Sequence, residues 1–310
     1  MKTAVSSYSF EKMMRQKGET QLTIIKKAKE LGFDAIEFTD LTPPDGLNIT
    51  EFAEQLRTEA EKNQIEISCY SVSADLLKGS DENLEEEVKK IKKKVDIANV
   101  LGVKIMRHDA TFSFPEAPLG FNDILPRLAE GCRKITEYAQ NFGIKTMVEN
   151  HGFFCQDSDR LEALVNAVGS KNFGLQVDMG NFLCVDEDPV TAVSRCARYA
   201  FNAHVKDFIR ISGENDFPGA GFIPTRGGAY IRGTVAGHGI VPVKQCTLAL
   251  KKAGYDGFLT LEFEGWEENE QALSQRWLRT VGYVGYGVAD KGYAVFLFHA
   301  TLGGFLRISS

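Results

Sequence analysis

One local unit recurs along the chain and limits its fold more than any other feature. An amphipathic helical stretch ends near a glycine, and a short apolar β-prone run follows that stops on a polar or titratable residue. The clearest copies are LTIIKKAKELGFDAIEF (22–38), VKKIKKKVDIANVLGVKIMRH (88–108), ITEYAQNFGIKTMVEN (135–150), LEALVNAVGSKNFGLQVDMGN (161–181) and LALKKAGYDGFLTLEFEG (248–265). Their spacing predicts Gly32, Gly102, Gly143, Gly169 and Gly254 as helix C-terminal caps. Alternating β and α elements imply a parallel sheet, and runs that lack polar alternation imply strands covered on both faces. Eight such runs occur: AVSSYSF, DAIEF, EISCYSV, KIMRH, KTMVEN, GLQVDMG, FNAHVKD and FLTLEFEG. Eight βα units predict an α/β chain folded as a (β/α)8 TIM barrel. The doubly wound alternative lacks support, because neither G-x-G-x-x-G nor a P-loop follows the first run.

The 310 residues suit two ordinary domains or one such barrel, and the recurring unit favours a single barrel over residues 1–280. Residues 281–310 abandon the unit and mix six glycines with aromatics, so they are expected to form a C-terminal tail to which no role is assigned. The Gly- and Pro-rich stretch from Asp207 to Pro242 is too long for a plain βα connection and predicts a functional loop or lid.

Composition narrows the partners. Lys and Arg total 36 against 42 Asp and Glu, and a net charge of −6 opposes a nucleic-acid backbone. The run EEEVKKIKKK (85–94) reads as an exposed helix face with i,i+4 ion pairs rather than a basic patch. The six cysteines form no C-x-x-C pair and are expected as reduced, buried thiols. The N-terminal stretch lacks a signal-peptide core, and no run of 18 uncharged apolar residues occurs, so a soluble cytoplasmic protein with no membrane partner is expected.

Catalytic groups of TIM barrels sit at the C-terminal ends of the strands. The apolar runs end on Glu37, His108, Glu149, Asp178, His204 and Glu262, which directs six titratable groups to one mouth. Glu149, Asp178, His204 and Glu262 come from four consecutive strands and lie 29, 26 and 58 residues apart, so one βα unit fills each shorter gap. Each alone has an ordinary explanation as a solvated strand end, a cap or a core histidine. Their joint placement at one end of four strands calls for a common one. Three carboxylates and an imidazole suit one divalent cation, with Mn2+, Mg2+ or Co2+ favoured and Zn2+ admissible.

The segments VENHG (148–152), VDMGN (177–181), HVKD (204–207), GHGIVP (237–242) and GYDGFLTLEFEG (254–265) together resemble the motif series of the xylose-isomerase-like TIM barrel superfamily. The resemblance is to its sugar isomerase and epimerase branch, which includes relatives of D-tagatose 3-epimerase, hydroxypyruvate isomerase and inosose dehydratase. It implies that Glu149, Asp178, His204 and Glu262 hold the metal and that Glu149 and Glu262 also serve as the acid/base pair. The implied function is a divalent-metal-dependent isomerase or epimerase of a small sugar or keto acid, working through an enediolate. Alternatives are a dehydratase of a keto-inositol, an endonuclease-four type phosphodiesterase and a non-catalytic sugar-binding barrel. The phosphodiesterase is disfavoured because the five histidines, at 108, 151, 204, 238 and 299, do not reproduce its histidine-rich three-metal cluster. The chain departs from the ketose epimerases at Asn181, where they carry a histidine, and in HVKDFIR, where their arginine has no match. His151 and Lys206 are therefore expected as substrate contacts, with Asn181, Arg107, His108 and Glu37 as further candidates. The resemblance leaves room for a homo-oligomer.

Overall fold

The helices begin and end on local signals. Asn48 Oδ1, Asn83 Oδ1 and Asp188 Oδ1 each accept a hydrogen bond from the backbone N–H three residues on, at 3.0, 3.2 and 2.8 Å. All five predicted cap glycines have positive φ, between 66° and 88°, which other residues adopt only with strain.

The computed structural model describes residues 1–268 and 272–273, so the expected tail at 281–310 lies outside the described residues. In chain order the elements are β1 (Lys2–Ser6), α1 (Glu11–Lys17), α2 (Thr23–Glu30), β2 (Ala35–Phe38), α3 (Ile49–Lys62), β3 (Glu66–Val72), α4 (Leu84–Leu101), β4 (Ile105–His108), α5 (Phe121–Gln140) and β5 (Lys145–Glu149). There follow α6 (Ser158–Val168), β6 (Phe173–Asp178), α7 (Pro189–Cys196), β7 (Ala200–Val205), β8 (Asp207–Ile211), β9 (Ile223–Pro224), β10 (Tyr230–Thr234), α8 (Val243–Lys252) and β11 (Phe258–Leu261). Strands β1 to β7 and β11 form a closed parallel barrel in the order β1-β11-β7-β6-β5-β4-β3-β2, the predicted (β/α)8 TIM barrel. Each of the eight β-prone runs supplies one strand.

The outer core lies between barrel and helices. On α3, Phe52, Ala53, Leu56 and Ala60 recur at helical spacing and are buried against it. Each large apolar side chain so buried stabilises the fold by about 1.5–3 kcal/mol.

The interior departs from expectation. Gln176, Asn202 and Thr260 point inward and form a hydrogen-bonded layer: Asn202 Nδ2 donates to Gln176 Oε1 at 2.9 Å and Thr260 Oγ1 donates to Asn202 Oδ1 at 3.2 Å. Polar residues therefore do alternate on β6, β7 and β11, and they satisfy one another instead of facing water. On the helix face at 85–94, Glu85, Glu86, Lys89, Lys90 and Lys93 are exposed as expected, while Glu87 is buried and accepts from Asp75 N and Ser80 Oγ. Its ion pairs, Lys89 with Glu86 and Lys90 with Glu87, span three residues rather than the four expected. All six cysteines are buried and free. Among the described residues no helix is long and apolar enough to cross a membrane.

The segment from Asp207 to Pro242 carries structure of its own. Strands β8, β10 and β9 form an antiparallel sheet beside the barrel mouth. Asp207 ties the returning chain down, since Oδ2 accepts from Gly237 N and Gly239 N at 2.6 and 2.8 Å, and Oδ1 accepts from Val241 N and Phe208 N at 2.9 and 2.8 Å. A Cβ at Gly239 would lie 2.3 Å from both Asp207 Oδ1 and Phe208 O, so only glycine fits there. The HVKD and GHGIVP segments are thus two halves of one anchor.

Candidate active site

Side chains alternate across a strand, so the direction of one residue sets that of its neighbours two positions away. On β7 and its extension Asn202, His204 and Lys206 face inward, and on β11 Thr260, Glu262 and Glu264 do the same. With Glu149 from β5 and Asp178 from β6, they meet at the C-terminal mouth. The four ligand atoms offered by Glu149, Asp178, His204 and Glu262 lie within 4.8 Å of one another.

His204 is aimed by Glu37. Its Nε2 lies 3.0 and 3.1 Å from the two Glu37 oxygens, and Asn202 Nδ2 fixes Glu37 at 2.9 Å. The opposite nitrogen, Nδ1, is buried without a hydrogen bond and faces Glu262 Oε2 at 3.3 Å, Glu149 Oε1 at 3.6 Å and Asp178 Oδ2 at 3.7 Å. Asp178 Oδ1 accepts from Gly180 N and Asn181 N at 2.7 and 2.9 Å, while Oδ2 is buried without a hydrogen bond. An orphaned imidazole nitrogen and an orphaned carboxylate oxygen converging with two glutamates form a donor set that fits a divalent cation. An imidazole with one nitrogen on a carboxylate and the other turned to a cation is a recurrent metal-site geometry. Glu37→Gln should weaken divalent-metal binding about 10- to 100-fold in calorimetric titration, by loosening the His204 ring. Unaltered affinity would show that Glu37 does not orient the ligand.

The charges confirm an acidic surplus. Burial disfavours a charged imidazole, yet Glu37 and Glu262 outweigh it and raise the His204 pKa well above the usual histidine range. A divalent ion and this proton would compete for the same surplus. Burial opposes ionisation of Glu262, but Lys206 and His204 hold its pKa down at about 2. Glu149 is likewise buried, and Arg107 with His204 keeps it well below the usual carboxylate range.

Two basic residues brace the carboxylates. Lys206 Nζ lies 2.6 Å from Glu262 Oε2, 3.1 Å from Glu264 Oε1 and 3.3 Å from Asp178 Oδ2. Arg107 Nη2 lies 2.6 Å from both Glu149 Oε2 and Asp109 Oδ1. These groups line a cavity of about 370 Å3 that also exposes His151, whose Nδ1 is 3.2 Å from Asp109 Oδ1 and whose ring packs edge-on to Phe112.

The structure brings Arg107, His151, Lys206 and Glu37 to the cavity and separates Asn181 and His108 from it. Glu37 sits beneath His204 with both oxygens engaged by His204 and Asn202. Asn181 is buried between Glu149 Oε1 and Lys206 Nζ, at 3.2 and 3.3 Å, and braces the cluster without lining the cavity. His108 corrects the expectation most clearly. It faces outward from β4, buried against Phe173, with Nδ1 3.0 Å from the Asp109 backbone oxygen. Strand parity explains this, because Arg107 and Asp109 take the inward positions on either side of it. Asp109 was missed for the same reason, although i,i+2 spacing from Arg107 could have found it. Tyr8, Glu11 and Glu264 also line the cavity and carried no recognisable sequence signal. His238 is exposed in the anchored loop and does not line the cavity.

A profile of the xylose isomerase-like TIM barrel family matches residues 25–281. The chain belongs to that family. An inosose dehydratase of Lacticaseibacillus casei is 25% identical over 154 residues, which are 49% of this chain and 51% of the relative. The chain thus spans about half the length of the curated relatives it matches. The solved D-psicose 3-epimerase of Clostridium cellulolyticum H10, with D-tagatose, superposes with a TM-score of 0.68 at 16% identity, covering 92% of this chain and 99% of that one. A family barrel from Mycobacterium smegmatis in complex with magnesium gives a TM-score of 0.66 at 20% identity, covering 91% and 96%. The shared fold thus hosts epimerase and dehydratase relatives, and the Glu149, Asp178, His204, Glu262 cluster can hold a metal ion.

Proposed function

We propose that this chain is a divalent-metal-dependent isomerase or epimerase that moves a proton beside the carbonyl of a small polyhydroxylated or keto-acid substrate. The convergence of orphaned His204 Nδ1 and Asp178 Oδ2 with Glu149 and Glu262 carries this reading. Glu149, Asp178, His204 and Glu262 would hold the ion, which would supply positive charge to the enediolate oxygens. Glu262, kept ionised by Lys206, takes the proton from the carbon beside the carbonyl. Glu149 approaches from another strand and is suited to return a proton on the opposite face, the outcome of an epimerase. Return to the neighbouring carbon makes an isomerase. His151, half-exposed at the rim, is positioned to bond substrate hydroxyls, and Arg107 keeps Glu149 oriented.

A second reading, loss of water from a keto-inositol, is favoured by one feature of the site and by the likeness to inosose dehydratase. Arg107 engages Glu149 strongly, which leaves the Glu262–Lys206 pair as the side better able to move protons. In that reaction Glu262 takes the α-proton, the electron pair expels the β-hydroxyl, and a proton from the Lys206 side lets it leave as water.

The test is solvent exchange. Metal-loaded protein in D2O is expected to incorporate deuterium beside the carbonyl of at least one member of a panel of ketoses, hydroxypyruvate and keto-inositols, and chelation should abolish the signal. NMR of the product separates an inverted or shifted centre from a dehydrated one. Equal exchange with and without chelator would overturn the metal-dependent reading.

A further inference from the structure

The turn after β5 that carries His151 is strained. Its backbone folds back on itself, with His151 and Cys155 bridged as in an antiparallel pair. At the apex Phe154 N donates to Gly152 O at 2.7 Å, closing a three-residue turn on Phe153, whose φ is 64°. A positive φ is rare for a bulky aromatic residue, and so tight a turn in that region is a strained one. The turn is also pressed against the loop after β4, since a Cβ at Gly152 would lie 2.7 Å from Thr111 O and 3.1 Å from Phe112 Cα. Strain of this kind persists only where neighbouring groups over-determine it.

Three side chains do so here. Gln156 Oε1 accepts from Phe153 N at 2.6 Å, and Arg160 Nη1 on α6 donates to Phe154 O at 2.6 Å. The third side chain reaches back 73 residues. Arg226, in the connection between β9 and β10, donates from Nη2 to Phe153 O, the carbonyl of the strained residue itself. The same guanidinium grips both oxygens of Asp157, at 2.5 and 2.9 Å. Asp157 also faces Arg160 Nε at 3.5 Å, and the Arg226 side chain is 37% exposed, so the ion pair alone counts for little; the bond to the carbonyl gives the contact its direction. The backbone of Arg226 is itself fixed. Its N–H donates to Cys184 O at 2.8 Å, and on either side Asp186 accepts from Thr225 Oγ1 and Gly227 N at 2.9 and 2.5 Å.

We propose that Arg226 is a positioning residue: from the sheet beside the mouth it locks the strained turn after β5 and thereby holds the His151 ring in the cavity wall. Arg226 does not line the cavity, so it acts only through that turn. The lock follows from this geometry, whereas its effect on turnover rests on the reading of His151 as a substrate contact.

The His151 ring reports the lock without any substrate. In the full chain carrying 13C-labelled histidine, the resonance lost in His151→Gln identifies His151, and a nuclear Overhauser contact with Phe112, whose ring centroid is 5.0 Å away, marks its position. Arg226→Ala is expected to shift that resonance and abolish the contact, while the His204 resonance stays in place and calorimetric affinity for Mg2+ stays within about twofold of wild type. Arg226→Lys keeps a charge for Asp157 but cannot span carboxylate and carbonyl with one planar fork, so it should give a smaller shift and serves if the alanine variant fails to fold. Phe153→Gly removes the strain, and in that background Arg226→Ala should move the His151 resonance less than about half as far. An unmoved resonance in both Arg226 variants, a shift that extends to His204, or one undiminished beside Phe153→Gly would overturn the lock. On the panel member that exchanges deuterium, Arg226→Ala should raise KM about fivefold with kcat within about twofold, as for a lost substrate hydrogen bond. A displaced His151 with KM unchanged keeps the lock and removes His151 from substrate binding. Absence of exchange with every member removes the reaction proposed above and leaves the lock to stand or fall on the resonances.

Discussion

Replacing Glu262 with glutamine should lower deuterium incorporation beside the substrate carbonyl by about a thousandfold, within the range for loss of a positioned proton-transfer group. The amide matches the carboxylate in shape but cannot accept the substrate proton as a base. The fold should survive, because Lys206 Nζ keeps Asp178 and Glu264 at 3.3 and 3.1 Å when its 2.6 Å carboxylate partner is lost. Circular dichroism and the urea midpoint should therefore stay close to wild type while NMR exchange collapses. Exchange within about tenfold of wild type would remove Glu262 from the proton path. The companion Glu149→Gln sharpens the choice of reaction. With the variant saturated by metal to offset the altered Glu149 position, an epimerase needs both glutamates and should lose inversion, whereas a dehydratase relying on the Glu262–Lys206 side should retain α-exchange.

The largest expected loss of stability follows from Asp207→Ala. The wild-type carboxylate accepts four backbone N–H groups, from Phe208, Gly237, Gly239 and Val241, and is itself buried. Alanine would leave all four donors without that acceptor, at a cost of about 3–5 kcal/mol after partial rehydration. Asn should lie between wild type and Ala, since its amide oxygen can serve one pair of donors but its NH2 cannot accept from the other. Urea unfolding followed by tryptophan fluorescence would measure both. A change below about 1 kcal/mol for the alanine variant would mean that the loop after β7 is held by other contacts. Because Lys206 precedes Asp207 directly, loosening this anchor should also disturb the ammonium that braces Glu262.

The two variants probe features with different histories. Glu262 was legible before any coordinates, as a titratable residue ending an apolar run that follows a helix and glycine. Asp207 was visible only as part of a motif whose partner lay some thirty residues on, and nothing local told that its carboxylate wraps the GHGIVP backbone. Lys206 and His151 were legible as neighbours of the strand-end cluster, and both reach the cavity. His108 misled because ending a strand does not say which face a residue takes, whereas Glu37 does line the cavity. His108 lies on the wrong side of β4, and Glu37 is on the right side but spent on orienting His204.

The sequence by itself determined the order of eight βα units, the end of the barrel where the titratable groups gather and the four residues of the acidic cluster. Helix periodicity, cap glycines and apolar strand runs act within a dozen residues, so their pattern survives in one dimension. Only the tertiary structure decided which strand-end groups converge, brace the cluster or lie apart, and what lines the rest of the cavity. Those outcomes depend on barrel closure, which puts Glu37 against His204 across 167 residues and packs Arg107 between Asp109 and Glu149. Side-chain direction and charge pairing inside a closed barrel are properties of that convergence, and no local pattern encodes them.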